Sequence, residues 1–379
     1  MAGEMLFRNA RIVTAGAIVE GAVAVEAGAI AEVGATAAAE GLDLAGDFLI
    51  PGLIELHTDQ LEAHYRPRPG VFWNPMAAIQ AHDAQLASSG ITTVFDALRI
   101  GSDVEMPGMA DHVDVLLGAI EKASAEDRLR ADHKVHLRCE LPAHDVVAHF
   151  ERFYRLPAVR MASVMDHTPG QRQYQTIEKF RQYYKERMRF SDAEMDAFIA
   201  DRHQEQALYS DKHRRAILKL GHEAGLTFAS HDDATPEHVA ESVEDGVRIA
   251  EFPTTVVAAR TSHEAGLAVL MGAPNVVRGG SHSGNVSAIA LAEAGVLDVL
   301  SSDYIPFALL QAAFLLPQQV ASVSLPQAIA MVTATPARAV GLTDRGEIAT
   351  GRRADLVRVR LIDGTPVVKG VWRQGERVG

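Results

Sequence analysis

Apolar positions along the chain fall into two textures. Between Ile50 and about Leu342, short runs rich in Val, Ile and Leu alternate with longer stretches of helical period. The runs are Leu53–His57, Ile91–Asp96, Val135–Glu140, Arg160–Asp166, Leu226–Ser230, Val247–Glu251, Val276–Arg278 and Val296–Ser301. Short, continuous apolar runs mark strands buried on both faces, as in a parallel sheet. The stretches between them, such as Met76–Ser89, Met109–Ala125 and Pro326–Ala334, read as amphipathic helices. Eight strand–helix units in succession predict an α/β fold, a (β/α)8 barrel of the TIM type. One stretch breaks the rhythm. Gln171–Gly221 is charged, helical and longer than one crossover needs, so it is expected as a helical insertion over one face.

The two ends have the other texture. Residues 5–50 and 346–379 consist of short β-like runs punctuated by glycine, which suits antiparallel sheet. Two separated β segments flanking one barrel predict a small β-sandwich made from both chain ends. The expected division is therefore 1–50 with 343–379 as a composite sandwich domain, and 51–342 as the barrel.

Composition narrows the chemistry. A net charge of −13 argues against a nucleic-acid partner, since the surface would repel backbone phosphates. A local pocket can still be basic and take a phosphorylated small molecule. The single cysteine, Cys139, excludes an intrachain disulfide and a thiolate cluster, so any metal site must use His, Asp and Glu. No apolar run is long enough to span a bilayer, and the N-terminus reads as a strand and not as a signal segment. The default expectation is a cytoplasmic enzyme without a membrane partner. Nothing decides between a monomer and a homo-oligomer.

The candidate ligands share one position, the carboxyl ends of the predicted strands. His57 and Asp59 close the first strand in PGLIELHTD; side chains two apart on a strand face the same way. Glu140 ends the third, just before Leu141-Pro142. His167 follows the fourth in SVMDHTPGQ, and His231 follows the fifth in LTFASHDD. Asp303 follows the last strand. Each residue has a plainer alternative: a buried hydrogen-bonded His, a salt-bridged Glu, or, for Asp303, a helix N-cap. Scattered structural residues would not choose the same end of successive strands, and that face is where barrel enzymes act. Imidazole and carboxylate ligands suit Zn, with Mn or Fe as other fits. One or two divalent ions per chain are expected. Beyond the seventh run, Arg278, Ser281, His282, Ser283 and Asn285 surround a Gly-rich turn that could cradle phosphate; an ordinary tight turn is the alternative. The His64, Arg66 and Arg68 loop offers further positive charge. The basic residues of the insertion, Arg172 to Arg189, read mostly as a solvated helix face.

The Pro51–Asp59 motif resembles the first-strand motif of the amidohydrolase superfamily, whose members wear terminal β segments around such a barrel. LHTDQLEAHYRPRPGVFWNP, HDAQLASSGITTVFDAL, MDHTPGQRQY, ASHDDAT, EFPTT and RGGSHSGN are similar to its phosphonate-metabolism branch. The usual first-strand motif has His at both metal positions; here the second is Asp59. The superfamily also commonly places its later histidines on strands five and six, whereas His167 and His231 fall on four and five. Either the count is off by one or a ligand has moved, in which case Glu251, at the end of strand six, is a candidate. The resemblance implies release of diphosphate from α-D-ribose 1-methylphosphonate 5-triphosphate by metal-activated water, with Asp303 as general base. Two other readings stay open: an amidohydrolase cutting an N-acyl amino acid or cyclic amide, and a non-catalytic barrel subunit of a phosphonate-processing assembly. Several basic donors facing the ligands would favour phosphate; one Arg and an apolar wall would favour an acyl amino acid.

Overall fold

The computed structural model describes residues 4–35, 40–102, 108–170, 172–174, 176–188, 190–281 and 284–379. The N-terminal segment forms β1 (Met5–Val13), β2 (Ile18–Glu26), β3 (Ala29–Ala35), β4 (Leu42–Asp43) and β5 (Phe48–Pro51). The chain then builds eight parallel strands in sequence order. These are β6 (Leu53–Thr58), β7 (Ile91–Ile100), β8 (Asp132–Glu140), β9 (Val159–Met165), β10 (Thr227–His231), β11 (Ile249–Glu251), β12 (Ala268–Gly272) and β13 (Val299–Ser301). It returns to the first sheet with β14 (Leu356–Ile362), β15 (Thr365–Arg373) and β16 (Glu376–Arg377). The terminal sheet runs β16-β15-β14-β5-β1-β2-β3, with β4 on β1, so both chain ends share it. It has its own apolar cluster, in which Phe7 meets Trp372 edge to face at 4.8 Å.

The barrel interior is filled by Ile54, Leu56, Phe95, Met161, Ala229, Ile249, Leu270 and Val299, drawn from seven of its strands. Its seam lies between β6 and β13 and is sparsely laddered. A bridge joins Thr58 to Asp303, and Asp303 N donates to the carbonyl of His57 at 3.1 Å. Glu55, fully buried, supplies the rest. It accepts from His57 N at 2.7 Å, Ser301 Oγ at 2.7 Å and Ser302 N at 2.6 Å, tying the two strands together.

The seventh strand is not Val276–Arg278. The strand is Ala268–Gly272, which pairs Glu251 with Leu270 and Leu270 with Val299. Ala273–Arg278 is a short helix with Pro274 in its first turn and Gly279 as a left-handed cap. The β-branched Val276-Val277 mimics a strand, but Pro is pre-organised for a helix start and Gly-Gly for its stop. The stretch Pro326–Ala334 is likewise two helices, Leu325–Ala330 and Ala334–Ala339.

The insertion is helical, as expected. It holds Ile177–Met188 and the 32-residue helix Asp192–Glu223, which Ser191 and Glu194 open with a reciprocal capping box. The far end of that long helix is itself the crossover. Gly221 lies so close to Phe228 of β10 that a Cβ would meet the ring at 2.3 Å, so only glycine fits. Outside the barrel, between the helix Pro75–Ser88 and the sheet, lies a buried ionic network. Asp96 receives His82 Nε2 at 2.8 Å and His133 Nδ1 at 2.7 Å, while Asp83 faces His133 Nε2 at 3.4 Å. No helix among the described residues is long and apolar enough to cross a membrane.

Candidate active site

Strand alternation delivers the site. On β8, His136, Arg138 and Glu140 occupy alternate positions, and all three border or underlie one cavity at the carboxyl end of the barrel. On β7, Arg99 stands in register with Arg138. On β10 and β11, His231 and Glu251 are register partners. Three of these strand ends turn abruptly through left-handed backbone at non-glycine residues: Asp232 at φ +57°, Phe252 at φ +52° and Asp303 at φ +55°. Such turns cost on the order of 1–3 kcal/mol each and concentrate at functional sites.

The side chains converge in two groups. His57, His136 and Glu251 form one, and His167, His231 and Asp232 the other; within each group, one ligand atom per residue lies within 4.8 Å of the rest. His57 and His231 link them, with ring centroids 5.9 Å apart. Phe252 packs edgewise against both rings, at 5.0 Å and 5.3 Å. In the first group His57 Nδ1 is 3.1 Å from Glu251, and His136 Nδ1 faces the carbonyl of Leu56 at 3.0 Å. In the second, His231 Nδ1 is 2.6 Å from Asp232, and Glu140 holds His167 through both Nδ1 at 2.6 Å and the backbone N–H at 3.1 Å. The cavity is about 360 Å³. The insertion closes its outer end with Phe180, Tyr184, Phe198 and Arg202.

Of the residues expected from the sequence, His57, Glu140, His167, His231 and Asp303 come together here. Asp59 borders the cavity but stands apart from both groups. β6 stops at Thr58, so Asp59 is the first residue beyond the strand, heading the helix Gln60–Tyr65, with its side chain 37% exposed and 3.9 Å from Arg138. Alternation cannot reach past a strand end. Asp303 does not cap a helix: Phe307 precedes Ala308–Gln319, and no side chain caps that helix. The strand count of four for His167 and five for His231 holds, and Glu251 on the sixth strand touches His57. Arg278, Ser281 and Asn285 line the outer cavity; His282 and Ser283 lie outside the described residues. The Arg66 and Arg68 loop does not line it. Arg172 is no solvated residue. It is buried and bonded to Asp233 at 2.5 Å and Glu241 at 3.0 Å. Sequence reasoning passed over His136, Arg138, Arg99 and Asp232. The signal for the first two was present, since they alternate with Glu140 on a single strand.

An amidohydrolase family model matches residues 48–378. The chain belongs to the amidohydrolase family. It is 44% identical, over 99% of its length and all of the relative's, to α-D-ribose 1-methylphosphonate 5-triphosphate diphosphatase of Escherichia coli (strain K12). Among solved structures it resembles a D-hydantoinase at TM-score 0.62 and 15% identity, covering 99% of this chain and 95% of that one. An N-acetylglucosamine-6-phosphate deacetylase from Pasteurella multocida matches at TM-score 0.62 and 15% identity, covering 99% of both chains. These last two likenesses concern the fold alone.

Amidohydrolases are in general hydrolases dependent on divalent metal, and the donor set of this one fits such ions. His136 Nε2, His231 Nε2 and Glu251 Oε2 are buried without a hydrogen-bond partner, an expensive state unless something else engages them. Burial, reinforced by the Arg138 charge, holds His57 well below the usual imidazole range; burial likewise lowers His136 to about 3. Both rings are therefore neutral, with lone pairs free to coordinate. Burial works against ionisation of Glu140, but the charge and hydrogen bond of His167 outweigh it and keep the carboxylate ionised. Asp303 is pushed up to about 7 by burial and then by the neighbouring Asp59 charge.

Proposed function

We propose that this hydrolase releases diphosphate from α-D-ribose 1-methylphosphonate 5-triphosphate, as a cytoplasmic enzyme acting on a phosphorylated small molecule. The observation that carries the choice over an N-acyl amino acid is the cationic lining. Arg99, Arg138, Arg202 and Arg278 all reach the cavity, more positive donors than one carboxylate needs. The ions would be held by His57, His136 and Glu251 on one side and by His167, His231 and Asp232 on the other, with Asp59 and Glu140 adjoining. Zn fits these ligands best, and Mn or Fe also suit them. When bound, such ions supply Lewis acidity that lowers the pKa of water and offsets charge on phosphoryl oxygens.

The chain's own residues do the rest. Asp303, which lines the cavity at the end of the last barrel strand, takes a proton from the attacking water, a role that needs an ionised carboxylate. Phe252 fixes the planes of His57 and His231 by edge contact. The arginines make the cavity electropositive enough to receive a polyphosphate, while Phe180, Tyr184 and Phe198 limit solvent entry from above. The composite terminal sandwich, 1–50 with 343–379, belongs to the same reading as a domain beside the 51–342 barrel; its separate apolar cluster supports it. A substrate screen of the metal-loaded protein tests the proposal, pairing ribose triphosphates against N-acyl amino acids and cyclic amides. Turnover of the triphosphates alone supports it; turnover of the amides alone overturns it.

A further inference from the structure

Arg138 is an unusual residue to bury. It is only 8% exposed, yet among the described residues its Nε has no hydrogen-bond partner and its ion-pair contact is with Asp59 at 3.9 Å, too long for a hydrogen bond. A buried guanidinium without matched acceptors is costly, and an incoming anion would offset that cost. Its position favours that use. Arg138 sits on β8 between His136 of the first group and Glu140, which holds His167 of the second. Two of the carboxylates lining the cavity are engaged by histidines, Glu140 by His167 and Asp232 by His231, and no hydrogen bond joins Asp303 to Arg138 among the described residues. Asp59 is too far away to form a fork.

Resting on the diphosphatase reading, we propose that Arg138 is the specificity-determining residue of the site and grips the non-bridging oxygens of the substrate's polyphosphate, beside its register partner Arg99. A planar fork with its Nε donor unfilled matches a phosphoryl group two oxygens at a time, which a lysine cannot do. The alternative role is charge balance, in which Arg138 merely offsets surrounding carboxylates; a lysine would serve that equally well.

Inorganic diphosphate is the probe. Its affinity for the metal-loaded wild type, Arg138→Lys and Arg138→Gln is measured by calorimetry, with metal content determined on the same samples and kcat and KM on the ribose triphosphate. The expected result is a Kd for diphosphate raised about 10- to 100-fold in both variants, with metal content unchanged and KM rising with Kd. Wild-type affinity in Arg138→Lys overturns the proposal in favour of charge balance. So does loss of metal or fold in Arg138→Gln if Arg138→Lys binds normally. A wild type that turns over the triphosphate while both variants stay within threefold overturns the Arg138 assignment alone. A wild type that neither binds diphosphate nor cleaves triphosphates overturns the diphosphatase reading with it.

Discussion

Replacing Asp303 with Asn separates a catalytic carboxylate from a structural one, because the two roles predict opposite changes in stability. The substitution exchanges one oxygen for an amide nitrogen at a residue whose backbone sits at φ +55°. Asn tolerates that conformation as Asp does. The anchoring contacts of Asp303 N, to His57 O at 3.1 Å and Ser301 Oγ at 3.3 Å, involve the backbone alone and survive. In the metal-free protein the carboxyl is pushed up from 3.8 to about 7, by burial and by Asp59 against the pull of Arg138. An acid raised in the folded state holds its proton more tightly there than in the unfolded chain. The cost this group imposes on the fold is therefore absent below about pH 4 and grows as the pH rises to about 7. A shift of this size corresponds to on the order of 4 kcal/mol at pH 8. Metal-free Asp303→Asn is thus expected to melt higher than metal-free wild type at pH 8, with the gap closing toward pH 4. The metal-loaded variant is expected to lose about 10²- to 10⁴-fold in kcat, equivalent to roughly 3–5 kcal/mol of barrier. Melting temperatures of chelated protein at pH 4.5 and 8, with kcat on loaded protein, provide both readouts. A variant equally destabilised at both pH values and within threefold of wild-type turnover would refute the reasoning.

Three further outcomes are expected. His231→Ala loses bound metal, by elemental analysis, together with activity, while circular dichroism and melting stay near those of the metal-free wild type, since the barrel core is apolar and independent of the ligands; unfolding at the expression temperature would make the residue structural. Asp96→Asn destabilises by roughly 3–5 kcal/mol in chemical denaturation with kcat nearly unchanged, because it strips a buried network outside the cavity of its central acceptor. The same network sets a pH window: burial opposes protonation of His133, but the charges of Asp96 and Asp83 outweigh it and raise the ring to about 9, so its contribution is complete below about 6.5 and is lost as the pH climbs through 9, while that of the depressed Asp96 is lost on acidification. A wild-type melting temperature that does not fall between pH 8 and 10 would count against that assignment.

Much of the barrel was legible because a fully buried strand leaves a continuous apolar run, and seven of eight runs coincide with strands. The eighth misled because Val-Val is β-prone while the Pro and Gly around it dictate a helix. The site was half legible for a related reason. His57, His231 and Asp303 lie at or just beyond the ends of their strands, where sequence order marks them. His136 and Arg138 lie inside an apolar run, and only their alternation with Glu140 betrays that they face inward. Glu55 and the His82–Asp96–His133 network could not be read at all. Glu55 and Ser302 are 247 residues apart and meet only when the barrel closes, while His82, Asp96 and His133 meet only when the helix Pro75–Ser88 packs on β7 and β8.

The most direct test of the central claim is phosphorus NMR of the metal-loaded protein with α-D-ribose 1-methylphosphonate 5-triphosphate. The account predicts stoichiometric inorganic diphosphate with the matching 5-phosphate, and no such products after chelation. Release of orthophosphate alone, or no cleavage by protein shown to carry its metal, would contradict it.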